Sequence, residues 1–376
     1  MKKAVSLILS LIIAISVSFT AYAQDDKLSI SAEAYVLFCA DNGKILNSKN
    51  ENKKMKPAST TKLMTSLIAL EESASNDKQV KFTEEMIAEG SSMYLKTGEV
   101  VKLSDLATGM MMASGNDAAN ATAISVSGSI EKFSDRMNER AKLIGMENTN
   151  FVTPSGLDDE NHYSTAYDMA LLMSYALENE DFAKLTSQKS AVVSFIEPSS
   201  KKTTYSNHNR LLSMYEYCTG GKTGYTMSAG RCLVSSAKKD GLTLICVTLN
   251  DRNDWQDHID LYNYGFERYA CYQSDDSNFC VDIPCVGGVE DKTTVVGEKD
   301  ISIVLSTEDK SKVERKIYID SFLYAPIEKN SKVGKIEYSI DGKVVSSVNL
   351  LSSEEVNIKK KSNNIFSKIK ELFTDG

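Results

Sequence analysis

Apolar residues recur along this chain with two periods, one near 3.6 and one near 2, and the two periods occupy different stretches. Ala34 to Cys39 and Lys44 to Leu46 read as strands joined at Asp41-Asn42-Gly43, a hairpin turn signal. From Ser59, just after Pro57, the run Leu63, Met64, Leu67, Ile68 and Leu70 is apolar on more than one side, which predicts a buried helix. A second helix is expected from Ser104 through Met112, broken at Ser114-Gly115-Asn116 and resumed in small residues from Asp117 to Ile124. Phe133, Met137, Ala141 and Ile144 share one helical face, so Ser129 to Ile144 reads as an amphipathic helix stopped by Gly145. Thr165 and Asp168 form a cap-like pair opening a helix that carries Met169, Leu172 and Met173.

The period then shortens. Ala229 to Ala237 and Leu242 to Leu249 are β-rich runs about Lys239-Asp240-Gly241, an antiparallel hairpin. Asp254 is expected to cap a helix with Trp255, Ile259, Tyr262 and Phe266 on one face. Strands at both ends with helices between them predict an α+β fold, an antiparallel sheet flanked by helices rather than a parallel doubly wound one. Past the polar stretch from Gln273 to Asn278, short strand-like segments run to Ile358 and suit a small β-sandwich or barrel. The expected division is a domain over 24–273 and a β-rich domain over 274–358.

Both ends read differently from the body. Lys2 and Lys3, the apolar run from Val5 to Phe19 and the small residues Ala21 and Ala23 form a secretory signal pattern over 1–23, so an exported protein is expected. The alternative, an uncleaved anchor, would need about 20 apolar residues to span a bilayer. Over 359–376, a lysine run precedes Ile365, Phe366, Ile369, Leu372 and Phe373 at helical spacing. Such a basic amphipathic end suits an anionic membrane surface, although so short a helix is marginal in water.

Charge and composition remove several function classes. The formal charge of -8 argues against nucleic acid as the main partner. Seven cysteines cannot all pair internally. Cys39, Cys218, Cys232 and Cys246 sit in or beside strand-like runs and read as small buried apolar residues, while the spacing of Cys280 and Cys285 would permit a pair. With three histidines and no C-x-x-C, neither a metal-ligand cluster nor a cofactor is indicated.

The candidate chemistry lies in three short motifs: Ser59-Thr60-Thr61-Lys62, Ser114-Gly115-Asn116 and Lys222-Thr223-Gly224. Each alone is common. Here the first opens a buried helix, the second interrupts a helix and the third leads into a β-hairpin. Ser-x-x-Lys, Ser-Asp-Asn and Lys-Thr-Gly are a known signature of penicillin-binding proteins and class A β-lactamases, and this chain has Gly115 in the place of the aspartate. Ser59 and Lys62 fall on one helical face, within reach for the amine to accept the hydroxyl proton. Lysine does this only when neutral, a state favoured by desolvation or a neighbouring cation such as Lys222. Ser114 would relay a proton towards the leaving amine, and Asn116 would hold Lys62 and the substrate amide. Lys222 and Thr223 would bind a terminal carboxylate, and Gly224 would let the substrate backbone approach. The backbone N–H groups of Ser59 and Tyr225 are the candidate oxyanion donors.

Around these motifs the segments Lys56-Pro57-Ala58, Met112-Ala113, Asp117-Ala118-Ala119, Ser155-Gly156-Leu157-Asp158-Asp159, His162-Tyr163-Ser164-Thr165-Ala166, Gly221 and Tyr225-Thr226 resemble the low-molecular-mass D-alanyl-D-alanine carboxypeptidases. The resemblance covers nearly the whole chain, Asn263-Tyr264-Gly265-Phe266 and Ala325-Pro326-Ile327 included. It implies a β-lactamase/transpeptidase-like fold with an added β domain and a membrane-associating tail. It also implies an acyl-enzyme at Ser59, release of D-alanine from peptidoglycan stem peptides, and covalent capture by β-lactams.

A β-lactamase is the nearest rival. It needs a carboxylate followed four residues later by asparagine, but four after Glu147 stands Phe151, and Glu147 reads as a surface turn residue. A catalytically idle wall-binding protein would be marked by loss of a motif, and all three are intact. Arg252 reads as a solvated loop arginine. His162 is expected to support structure near the cleft, and His208 to lie in a polar loop at its edge.

Overall fold

The computed structural model describes residues 28–360; the signal-like and tail segments fall outside the described residues, apart from 359 and 360. The described residues from Ser31 onward form one compact unit. Its centre is a five-stranded antiparallel sheet in the order β2-β1-β9-β8-β7, built from β1 (Ala34–Cys39), β2 (Lys44–Lys49), β7 (Cys218–Thr226), β8 (Gly230–Lys239) and β9 (Leu242–Leu249). β1, from the start of the described chain, therefore pairs in the middle of the sheet with β9, which comes far later in the sequence, and Val36 stands opposite Val247. β7 is an edge strand, and this leaves one side of its backbone free.

Helices cover the sheet as the apolar periods require. α1 (Lys62–Ser75) is buried from Lys62 through Leu70. It packs with α2 (Leu103–Ala113), α3 (Asn116–Ser127), α4 (Ile130–Ile144), α5 (Ala166–Ala176) and α6 (Glu180–Thr186) around one apolar core that includes Met110, Met111, Met112, Phe133 and Leu172. The expected caps form. The Ser129 and Thr165 side chains accept from the N–H groups of Lys132 and Asp168, and Gly145 ends α4 with φ +89°. Short hairpins, β3–β4 (Gln79–Lys81, Val100–Lys102) and β5–β6 (Ser190–Ser194, Lys202–Ser206), flank the helical side. The helix after β9, α7 (Asp254–Arg268), departs from the sequence reading. Asn253 occupies the N-cap without a side-chain cap bond, and Asp254 is the first helical residue, its carboxylate engaged with Arg231 instead.

Among the described residues beyond α7 the chain is β, apart from two short helical turns at Asp276–Asn278 and Thr307–Lys310. β10 (Tyr269–Ser274) pairs with β13 (Ile301–Ser306). β11 (Cys280–Val286), β12 (Lys292–Gly297), β14 (Glu314–Ile319), β15 (Leu323–Tyr324), β16 (Lys332–Ile340) and β17 (Lys343–Ser352) make a six-stranded sheet in the order β14-β16-β17-β12-β11-β15. Ile301 of the small sheet and Val295, Ile336, Tyr338, Val348 and Leu350 of the large one share an apolar cluster, the arrangement of two packed β layers. All but the last residue of β10 lies before residue 274, yet β10 pairs along its length with β13, so strand pairing crosses the expected division. All seven cysteines are free thiols; Cys285 is buried and Cys280 exposed, so the spacing that would permit a pair does not produce one.

Candidate active site

Ser59 stands in a single 3-10 turn, Ala58–Thr61, that leads into α1. Ala58 is held at φ +49°, a conformation that costs a residue with a Cβ about 1–3 kcal/mol and that persists only where its surroundings impose it. The surroundings here are specific. The Thr60 hydroxyl donates to the Pro57 carbonyl at 2.6 Å, and Thr65 donates to the Pro154 carbonyl at 2.6 Å. His162 Nδ1 accepts from the N–H groups of Val152 (3.0 Å) and Thr153 (3.2 Å), so the proton sits on Nε2, which donates to Thr61 Oγ1 at 2.8 Å. Burial lowers the His162 pKa to about 4, and the ring is neutral. The segment from 152 to 155 is thus fastened along the first turn of α1. Gly156 completes the junction at φ +82°, where a Cβ would fall 1.9 Å from the Ala58 carbonyl oxygen.

Lys62 is fully buried three residues after Ser59, on the same face. Its Nζ lies 2.9 Å from Ser59 Oγ, 2.7 Å from Asn116 Oδ1 and 2.7 Å from the Ser155 carbonyl oxygen. Asn116 Nδ2 donates to the Glu89 carbonyl at 2.6 Å, which fixes Oδ1 toward the lysine. The two amide oxygens can only accept. A neutral amine has two N–H bonds and one lone pair, so it satisfies both oxygens and turns its lone pair to the one partner that can donate, the Ser59 hydroxyl. The electrostatics agree: burial lowers the Lys62 pKa well below its ordinary value, and the charge of Lys222 lowers it further.

Ser114 and Asn116 come from the break between α2 and α3. Ser114 ends α2 in the left-handed conformation, φ +56°, and Asn116 begins α3, so both side chains point out of the helix pair towards Lys62 and Lys222. Asp117 secures the facing loop: its carboxylate accepts from the N–H groups of Met93 and Leu95 and from the Ser92 hydroxyl. The Asn116 N–H donates to the Ser91 carbonyl at 2.8 Å.

The third wall is β7. Lys222 Nζ donates to Ser114 Oγ at 3.0 Å and to the Thr223 carbonyl at 2.7 Å. Lys222 is 1% exposed, and burial brings its pKa down to about 7. Tyr225 pairs with Arg231, whose carbonyl accepts from the Asp251 N–H on the far side of β8. In an antiparallel pair this turns the Tyr225 N–H out of the free edge of β7, as an oxyanion donor requires. A Cβ on Gly224 would lie 2.9 Å from the Ser59 nitrogen, so glycine lets β7 pack against the nucleophile turn.

Ser59, Ser114, Thr223, Gly224 and Tyr225 line one cleft of about 500 Å³. The candidate residues thus come together, but Lys62, Asn116 and Lys222 lie behind the cleft surface and do not line it. Arg252 and Glu147 are exposed, and Arg252 is absent from the cleft lining. His208 lines the cleft edge. Four participants escaped the sequence reading. The Ser155 carbonyl is a backbone group without a residue-type signal, and Ser91 is one serine among many. Arg231 and Trp255, which also line the cleft, are brought together only by the packing of α7 on β8. The arrangement has the parts for acyl transfer: a nucleophile, a base with its lone pair on that nucleophile, a second hydroxyl bonded to a cation, and backbone donors.

Comparison with known proteins gives the same answer. Residues 19–253 match the family model described as D-alanyl-D-alanine carboxypeptidase, and residues 266–357 match the C-terminal domain of penicillin-binding protein 5. The chain is 32% identical over 375 residues to the D-alanyl-D-alanine carboxypeptidase DacF of Bacillus subtilis, covering 95% of each chain. It is 32% identical over 357 residues to DacC of Escherichia coli, covering 90% of this chain and 88% of the relative. Penicillin-binding protein 5 of Haemophilus influenzae has a similar structure, with TM-score 0.68 and 30% identity over 87% of this chain and 98% of that one. The chain belongs to the D-alanyl-D-alanine carboxypeptidase family of low-molecular-mass penicillin-binding proteins.

Proposed function

We propose that this protein removes the terminal D-alanine from peptidoglycan stem pentapeptides through an acyl-enzyme on Ser59. The observation that carries this is the three-way coordination of the buried Lys62 amine, whose remaining lone pair faces Ser59 Oγ at 2.9 Å. Lys62 Nζ takes the hydroxyl proton as Oγ attacks the carbonyl carbon of the penultimate D-alanine. The oxyanion is held by the N–H groups of Ser59 and Tyr225. The C–N bond then breaks, and the departing amine receives a proton through Ser114, which Lys222 holds by a hydrogen bond. Water attacks the resulting ester with the same groups acting in reverse, freeing Ser59 and the shortened stem. Asn116 fixes Lys62, and Thr223 and Gly224 border the space for the peptide. A β-lactam enters the same path, its ring amide taking the place of the D-alanyl-D-alanine bond.

The family acts on the cell wall, and export by the 1–23 segment, a catalytic domain ending near residue 273, a β domain over 274–358 and membrane association through 359–376 complete the reading. Among the described residues no helix is long and apolar enough to cross a membrane. The test is release of D-alanine from a diacetylated L-Lys-D-Ala-D-Ala peptide, with Ser59→Ala as control. One D-alanine per peptide, abolished by the substitution, is expected. Rapid turnover of a chromogenic cephalosporin without D-alanine release would favour a β-lactamase instead.

A further inference from the structure

β7 is an edge strand, so one long side of it has no partner strand to hold it in place. Its C-terminal end, where the Tyr225 N–H faces the cleft, is also poorly covered. Tyr225 is 66% exposed, and Met227, in the turn into β8, is 95% exposed. Gly224 sets how closely this end can approach Ser59, through backbone contacts that a Cβ would violate. A steric limit of that kind stops an approach but not a retreat. A second restraint is needed, because the oxyanion is shared between two N–H groups that stand on separate elements.

Asp158 supplies that restraint. Its Oδ1 accepts from the Thr226 hydroxyl at 3.0 Å, and its Oδ2 accepts from the Ser228 hydroxyl at 2.6 Å. The Thr226 hydroxyl oxygen in turn accepts from the Ala229 N–H at 3.0 Å, which closes the β7–β8 turn around the two partners of the carboxylate. Lys56 Nζ, from the segment leading to Ser59, stands 3.9 Å from Asp158 Oδ1. The carboxylate therefore draws together the approach to the nucleophile turn, its own loop and the end of β7. Upstream in the same loop, the Ser155 carbonyl accepts from Lys62 at 2.7 Å and the Pro154 carbonyl accepts from Thr65 at 2.6 Å. One short loop thus grips the base at one end and the strand bearing the oxyanion donor at the other.

We propose that Asp158 is a positioning residue that holds the Tyr225 N–H at its working distance from Ser59, so that a single loop sets both the base and the oxyanion hole. This rests on the acyl-transfer reading above. Asp158 acts through the β7–β8 turn and not on the reacting atoms. A carboxylate suits the task because its two oxygens accept from two hydroxyls at once, whereas the side-chain amide of asparagine keeps only one acceptor.

The experiment follows acylation by a fluorescent penicillin across pH in wild type, Asp158→Ala, Asp158→Asn, Ser228→Ala and the Asp158→Ala/Ser228→Ala double variant. Rapid mixing separates the initial binding constant from the maximal acylation rate. Asp158→Ala should slow the maximal rate about 10- to 100-fold, the scale of a misplacement of up to about 1 Å. Binding and the pH midpoint of the rising limb should stay as in wild type, because Lys62 keeps all of its partners. Asp158→Asn should recover part of the rate, and it decides by the same readings if the alanine variant does not fold. The double variant should be no slower than Asp158→Ala, since Ser228 acts through the carboxylate. A maximal rate within twofold of wild type overturns the proposal. So does a loss that comes with a shifted midpoint, which would place the effect on Lys62, or further slowing in the double variant. Absence of any penicillin adduct on Ser59 in the wild type would instead overturn the functional reading beneath it.

Discussion

A methyl group on Gly224 would stand 2.9 Å from the backbone nitrogen of Ser59 and 3.0 Å from the Pro57 carbonyl oxygen. The lysine motif of β7 and the serine motif of α1 are therefore in backbone contact, and the glycine sets their separation. Both neighbouring atoms are backbone and cannot rotate away. Gly224→Ala should push β7 from the nucleophile turn and slow acylation by penicillin about 100-fold, the usual consequence of a misplacement near 1 Å. Stopped-flow acylation with a fluorescent penicillin measures it; a rate within twofold of wild type would show that the gap is not critical.

Gly156 makes a harsher version of the same contact. With φ +82° and a Cβ position 1.9 Å from the Ala58 carbonyl oxygen, Gly156→Ala combines backbone strain with overlap. A loss of about 2–4 kcal/mol in unfolding free energy is expected. Urea denaturation gives the value directly.

Acylation should rise with pH, because Lys62 must shed its proton before it can accept that of Ser59. Burial, then the charge of Lys222, lowers the Lys62 pKa well below its ordinary value, so the rising limb lies far below the range of a free lysine. Lys222→Met removes the second cause. Its rising limb should move to higher pH, whatever happens to the maximal rate. An unmoved midpoint would show that Lys222 does not act on Lys62 through charge.

His162 carries a stability prediction with a definite sign. Its pKa is about 4 in the fold, lowered mainly by burial, against an ordinary 6.5. Between those values the unfolded chain binds a proton that the fold does not, so stability falls as pH drops from about 6.5 to 4, by roughly 3 kcal/mol. His162→Gln should flatten that window in melting experiments, at the cost of lower stability at pH 7, since the ring accepts from Val152 and Thr153 and donates to Thr61.

The contrast between these sites explains how far the sequence could be read. Helix and strand positions follow from local chemistry that one segment holds entirely, such as Ser129 with Gly145 or Thr165 with Asp168. The three motifs were legible because their residue types suit one chemistry. The Ser155 carbonyl was not, because a backbone oxygen looks alike in every residue. Lys222 was read as a direct carboxylate ligand, but its depth behind Ser114 depends on where the edge strand meets the α2–α3 break. Asp254 looked like a helix cap, and only the packing of α7 against β8 supplies the arginine that engages it. Contacts between segments distant in sequence, set by tertiary packing, are what the pattern leaves unwritten.

The most direct measurement is tandem mass spectrometry of the protein after brief exposure to benzylpenicillin, on wild type and Lys62→Met. One adduct on the Ser59 peptide is expected, with its formation slowed about 100- to 10,000-fold by the substitution, the range for loss of a general base. An adduct on any other residue, or labelling of Lys62→Met as fast as wild type, would contradict a mechanism in which a neutral Lys62 activates Ser59.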